Sequence, residues 1–122
     1  MKLDEAKDFL LKEGIIDERK IFSCSNAQNL PDGSYGLVGI GFNKDKFIVC
    51  DVSPEGLTGI KPGKVLYEIP LSEVSDVKGS DFVLWRFVKF NWQGAKFCFK
   101  AFASNAGIIS TLKGNNAYRA TA

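Results

Sequence analysis

The sequence contains no histidine, and its few cysteines lie far apart. The absence of histidine excludes Ser-His-Asp and Cys-His nucleophilic sites, imidazole proton relays and zinc sites with a histidine ligand. The three cysteines, Cys24, Cys50 and Cys98, lack the close spacing of zinc or thioredoxin-like motifs, and their odd number is typical of a reducing compartment. We therefore predict a protein that is not an enzyme, that uses no metal or cofactor, and that packs its cysteines as small apolar side chains.

Long hydrophobic runs are also missing. No segment approaches the about 20 consecutive apolar residues of a membrane-spanning helix. The charged start of the chain lacks the apolar core of a secretory signal, so we expect a cytoplasmic protein. Its 122 residues, 45% hydrophobic and 25% charged with a net charge of +2, are typical of a single globular domain.

The residue pattern predicts a helix at each end of the chain with strands between them. An amphipathic pattern over 3–13 ends at Gly14, and a second apolar stripe predicts a helix over 104–113, followed by a polar tail over 114–122. The predicted strands, separated by turn residues, are 20–25, 35–42, 46–52, 64–71, 74–78, 82–92 and 95–102. We predict a mainly β fold, a small antiparallel barrel of about seven strands over residues 20–102.

Glycine is concentrated in two regions that resemble nucleotide-binding loops without matching them. The glycines between Gly33 and Gly41 do not have the spacing of a dinucleotide-binding loop. The segment from Gly59 to Val65 lacks the first glycine and the hydroxyl residue of a phosphate-binding loop. We expect the first group to permit curvature or close side-chain packing, and the second to belong to a flexible surface loop spanning 53–63.

Two segments resemble a pleckstrin-homology-like (PH-like) domain of the bacterial or GRAM type. The first is Gly41 to Val49, where two strands meet at a short turn that carries a basic residue. The second is Tyr67 to Val77, which is similar to the family's I-P-L-x-x-I-x-x-V turn. The resemblance covers residues 20–113 and implies the barrel, its closing helix and a binding role. Residues 25–42 contain no Lys or Arg, which disfavours a specific inositol-phosphate site in the first hairpin.

Charge is distributed unevenly along the chain. Residues 1–81 contain all fourteen acidic residues and ten basic ones, for a net charge of −4. Residues 82–122 contain six basic residues and no acidic one. The overall net charge of +2 therefore conceals an acidic region before residue 82 and a basic region after it.

A hairpin with a two-residue turn at Gln93-Gly94 organises this basic region. That turn pairs Trp92 with Ala95 and Phe90 with Phe97, and it predicts one aromatic face toward the barrel core. The opposite, outer face combines lysines with aromatic residues, and Cys98 on it is the best candidate for a regulatory thiol. The outer residues expected to form a partner surface are Trp85, Phe87, Lys89, Lys96 and Lys100.

Three interpretations of this outer face remain open from the sequence. In the first, the N-terminal helix covers the face, with the acidic residues of the helix beside the lysines. In the second, the face docks a protein, either a partner or a second copy of the chain. In the third, the face binds an anionic surface, and Lys61 and Lys64 contribute to the binding. The hypothesis we carry forward is a non-enzymatic PH-like module that docks a protein partner or itself. The alternative hypothesis is peripheral binding to anionic lipid, and the third is a barrel that encloses a small ligand. Nucleic acid is disfavoured as a partner because the chain is only mildly basic.

Overall fold

The computed structural model describes residues 1–79, 86–101 and 108–113. These residues form a seven-stranded antiparallel sheet with a helix before it and a short helix after it. The elements are α1 (Leu3–Lys12), β1 (Phe22–Ala27), β2 (Gly36–Asn43), β3 (Lys46–Glu55), β4 (Gly59–Pro70), a 3-10 turn (Leu71–Glu73), β5 (Ser75–Gly79), β6 (Arg86–Trp92), β7 (Ala95–Ala101) and α2 (Ile108–Leu112). The predicted mainly β class, strand number and terminal helices are confirmed.

The prediction of a surface loop over 53–63 is wrong. This segment instead continues β3 and β4 into a long hairpin, with Glu55 paired to Gly59 and Ser53 paired to Lys61. Gly56 supplies the turn with a φ of +68°, a conformation that costs glycine little. Pro62 is tolerated because β4 is the last strand of the sheet, where a missing N–H need not break a ladder. The predicted elements at 82–85, 102 and 104–107, and the predicted tail at 114–122, lie outside the described residues.

The sheet curls until its two halves face each other. The strand order is β4-β3-β2-β1-β7-β6-β5, so β4 and β7 are four positions apart, which is about 19 Å in a flat sheet. The rings of Tyr67 on β4 and Phe97 on β7 are nevertheless only 5.5 Å apart. Phe47 on β3 and Phe90 on β6, also four positions apart, lie at 5.2 Å. The sheet is therefore barrel-like, with aromatic side chains packed inside it.

The inner core consists of alternating residues from both halves of the sheet, with α2 packed against them. Its largest fully buried side chains are Phe42, Phe47, Phe90, Phe97 and Phe99. Ile108, Ile109 and Leu112 of α2 belong to the same cluster.

A second core lies on the outside of the sheet, beneath α1. Leu10 of α1 packs there with Phe22 of β1 and Val52 of β3. Gly39 of β2 makes room for this layer, since a Cβ at that position would lie 2.2 Å from Cζ of Phe22. The close packing expected of the glycines is confirmed at this position. The α1 helix is therefore placed on the outer face of the β1–β4 half of the sheet.

Candidate functional site

The β6–β7 hairpin has the register that its turn predicts. Gln93 and Gly94 both have positive φ, 51° and 77°, as in a type I′ turn. Trp92 pairs with Ala95, and Phe90 pairs with Phe97. The side chains of Phe90 and Phe97 are buried, so the predicted inner face is confirmed.

Four of the five residues predicted for a partner surface share the outer face of this hairpin. Phe87 and Lys89 are exposed on β6, while Lys96 is exposed and Lys100 half-buried on β7. The cross-strand pairs are Phe87 with Lys100, Lys89 with Cys98, and Asn91 with Lys96. Trp85, the fifth predicted residue, lies outside the described residues. We call this outer surface, together with Asp76 and Lys78 of β5, the basic face.

Phe87 is the apolar element of the basic face. Its side chain is 38% exposed. The ammonium groups of Lys89 and Lys100 lie 5.3 Å and 5.6 Å from its ring centroid. Each such cation–π contact contributes roughly 0.5–1 kcal/mol at an exposed site. The contacts keep two positive charges beside an aromatic surface that a partner can bury.

Strand β5 adds a lysine that the sequence analysis missed. Ser75 pairs with Asn91, and in a regular ladder this register would place Lys78 opposite Val88. The ladder is irregular between Ser75 and Lys78, and Asp76 has a φ of 53° there. The irregularity shifts the register by one residue, so that Lys78 lies opposite Lys89. Backbone irregularity of this kind has no clear signature in the sequence.

A shallow groove of about 520 Å³ lies in the basic face, and we call it the basic groove. Its lining residues come from β5, β6, β7 and the residue after β1: Gln28, Asp76, Lys78, Lys89, Phe90, Asn91, Lys96, Phe97 and Cys98. Lys61 and Lys64, expected to contribute to an anionic-surface site, do not line this groove. They lie on β4, at the other end of the sheet order.

The groove has an excess of positive charge. Among the described residues that line it, Asp76 is the one carboxylate, and its Oδ2 accepts a hydrogen bond from Nδ2 of Asn91 at 2.9 Å. Within residues 1–79, 86–101 and 108–113, none of Lys78, Lys89 and Lys96 forms an ion pair. Like charges that face each other across a strand pair destabilise a sheet, as Lys78 and Lys89 do here. An anion from outside the domain would relieve this repulsion.

The three cysteines are free thiols in different surroundings. Cys24 and Cys50 lie on either side of Gly39, in the layer beneath α1. Burial raises the pKa of Cys24, and burial together with the neighbouring Cys24 raises the pKa of Cys50 to about 12. Cys98 instead lines the basic groove, with its Sγ 3.7 Å from Oε1 of Gln28. Packing as apolar side chains is confirmed for Cys24 and Cys50.

The interpretation in which α1 covers the outer hairpin face is wrong for the described part of that face. The apolar residues of α1 pack with β1, β2, β3 and β4, and no residue of β6 or β7 belongs to their cluster in the described chain. Phe87, Lys89 and Lys96 are therefore exposed to solvent. The reason is that Gly39 and Gly41 leave a depression on β2, into which the layer beneath α1 fits.

By its fold and its basic face, the protein belongs to the class of antiparallel β domains, with seven strands in the described chain and a basic, partly aromatic outer surface. Comparison of the chain with protein-family models, curated proteins and solved structures gives no match. The PH-like resemblance therefore stays a prediction. Neither helix in the described ranges has the length and hydropathy needed to cross a bilayer.

Proposed function

We propose that this protein is a non-enzymatic, PH-like binding module that docks an acidic segment of a partner protein on its basic face. The observation that carries the proposal is the exposed ring of Phe87 between Lys89 and Lys100. An apolar centre with a charged rim is the arrangement that protein interfaces use.

The aromatic ring and the lysines contribute differently to such docking. Burial of Phe87 supplies apolar area near the centre of the contact, where truncation usually costs most affinity. Lys89 and Lys96 attract an acidic partner and raise its association rate, an effect that salt weakens. Trp85 is part of the proposed surface by prediction from the sequence.

The proposal is tested by selecting peptides from a random displayed library on the immobilised protein and measuring their affinity by fluorescence anisotropy. The selected peptides should be enriched in Asp and Glu. Phe87→Ser should weaken them at least about tenfold, since truncation of a central aromatic anchor costs about 2 kcal/mol or more and a tenfold loss corresponds to about 1.4 kcal/mol. The double variant Lys89→Gln/Lys96→Gln should slow association and reduce its dependence on salt.

The matched control is Lys61→Gln/Lys64→Gln, which removes the same charge from exposed positions on β4. The control should keep full affinity. Circular dichroism should show that all variants stay folded, because the side chains replaced are exposed. Selection of neutral peptides, or an equal loss of affinity in the control, would contradict the proposal.

Peripheral binding to anionic lipid is the second candidate, favoured by the convergence of Lys78, Lys89 and Lys96 on one groove. Co-sedimentation with anionic and neutral vesicles at low and moderate salt separates the two. Binding to anionic vesicles alone, lost in Lys89→Gln/Lys96→Gln, would put the lipid candidate first. A second copy of the chain as the occupant would appear as concentration-dependent association in sedimentation velocity. The proposal places the module in the cytoplasm, which its three free thiols support.

A further inference from the structure

We infer that the basic groove takes a phosphorylated side chain of the docked acidic segment. This inference rests on the proposed function and adds a chemical requirement to it. It concerns the groove around Lys78, Lys89 and Lys96 rather than the exposed ring of Phe87.

The charge balance of the groove points to a doubly charged anion. Lys78, Lys89 and Lys96 bring three positive charges, and Asp76 brings one negative charge. The remaining net charge is +2. A carboxylate would neutralise half of it, whereas a phosphoryl group, which carries about −1.5 to −2 at neutral pH, would neutralise nearly all of it.

The donors of the groove suit a phosphoryl group for a second reason. An ammonium group donates up to three hydrogen bonds without a fixed plane, so it binds phosphate as a point charge. The lysines lie on three neighbouring strands, β5, β6 and β7, and all three line the groove. Asp76 is the one anionic competitor in the described lining of the groove, and its carboxylate already accepts a hydrogen bond from Asn91.

A peptide is favoured over a lipid headgroup because the groove lies beside Phe87 on the same face. Phe87 and Lys89 are two residues apart on β6, a distance of about 7 Å along a strand. An extended segment with an apolar side chain two residues from its phosphorylated residue would reach both places at once, because side chains two residues apart share a face. A headgroup would use the groove alone.

The test compares three fluorescein-labelled peptides that share the acidic, phenylalanine-containing sequence Gly-Glu-Phe-Glu-Xaa-Glu-Glu-Gly, with Ser, Glu or phosphoserine at Xaa. The phosphoserine peptide should bind about tenfold more tightly than the glutamate peptide, the gain expected for an extra charge near several lysines. Lys78→Gln should remove that gain and leave the affinity of the serine peptide nearly unchanged. Lys61→Gln, the matched control, should retain it.

Alkylation of Cys98 gives an independent readout of where the phosphate lies. The phosphoserine peptide should slow the reaction of Cys98 with iodoacetamide more than the serine peptide does, because the thiol lines the same groove. Buried Cys50 serves as the internal reference. Lys96→Gln is the second variant, in case Lys78→Gln affects folding.

The possible failures are distinguishable. Equal affinity for the phosphoserine and glutamate peptides would overturn the phosphate inference and leave the proposed function standing. No binding of any of the three peptides would overturn both. A third outcome is tighter binding of vesicles that contain phosphorylated inositol lipid than of the phosphoserine peptide, with the same dependence on Lys78. That outcome would assign the groove to a headgroup and overturn the choice of a peptide.

Discussion

Replacement of Gly39 by alanine tests the packing of the apolar layer on which α1 rests, on the outer face of the β1–β4 half of the sheet. A Cβ at Gly39 would lie 2.2 Å and 2.6 Å from two ring atoms of Phe22 and 3.0 Å from Cγ2 of Val52. Both side chains are buried, with Phe22 only 3% exposed, so neither can move away without disturbing the layer beneath α1. Overpacking of this kind costs typically about 1–3 kcal/mol.

Urea denaturation followed by circular dichroism measures this cost, and a double-mutant cycle identifies its origin. In a Phe22→Leu background the ring is gone, so Gly39→Ala should cost at least about 1 kcal/mol less than in the native protein. The control is Gly63→Ala, whose Cβ would meet only the side chain of exposed Asp51 at 3.1 Å. A neutral or stabilising Gly39→Ala, or strict additivity with Phe22→Leu, would refute the packing of Phe22 and Val52 over Gly39 in the layer beneath α1.

Two further predictions concern a buried ion pair and the thiols. Asp17 is only 5% exposed and accepts hydrogen bonds from Nη2 of Arg19 and the backbone N–H of Lys44, both at 2.6 Å. Because Asp17→Asn removes the buried negative charge that these donors face, it should destabilise the fold by about 2–3 kcal/mol. Burial raises the pKa of Asp17, but the hydrogen bonds from Arg19 and Lys44 outweigh burial and lower the pKa below 3.8. The stabilisation by the Asp17 carboxylate is therefore complete above that value and is lost as the pH falls through the folded-state pKa. Urea denaturation below about pH 4 should therefore show that acid lowers the free energy of unfolding less for Asp17→Asn than for the native protein. When native protein reacts with iodoacetamide at mildly alkaline pH, mass spectrometry should find the modification on Cys98 before it appears on Cys50, because the buried thiol of Cys50 has a pKa of about 12. Faster modification of Cys50 would contradict its placement beneath α1.

The sequence alone determined those features that depend on neighbours along the chain. The Gln93-Gly94 turn sets the pairing of β6 with β7, and alternation along each strand then decides which side chains face the core. Phe87, Lys89, Lys96 and Lys100 could therefore be placed on one outer face. Gly14, with a φ of +73°, ends the first helical segment as predicted.

Tertiary structure decided what depends on residues distant in sequence. An amphipathic helix can cover any apolar face, and the packing of Leu10 with Phe22 and Val52 over Gly39 places α1 on the β1–β4 half. The irregular ladder at Asp76, which brings Lys78 opposite Lys89, changes which side chains share a surface without a clear signal in the residue pattern. The hairpin part of the basic face could thus be predicted from local pairing, whereas the contribution of Lys78, the open state of the face and its groove follow from packing across the whole sheet.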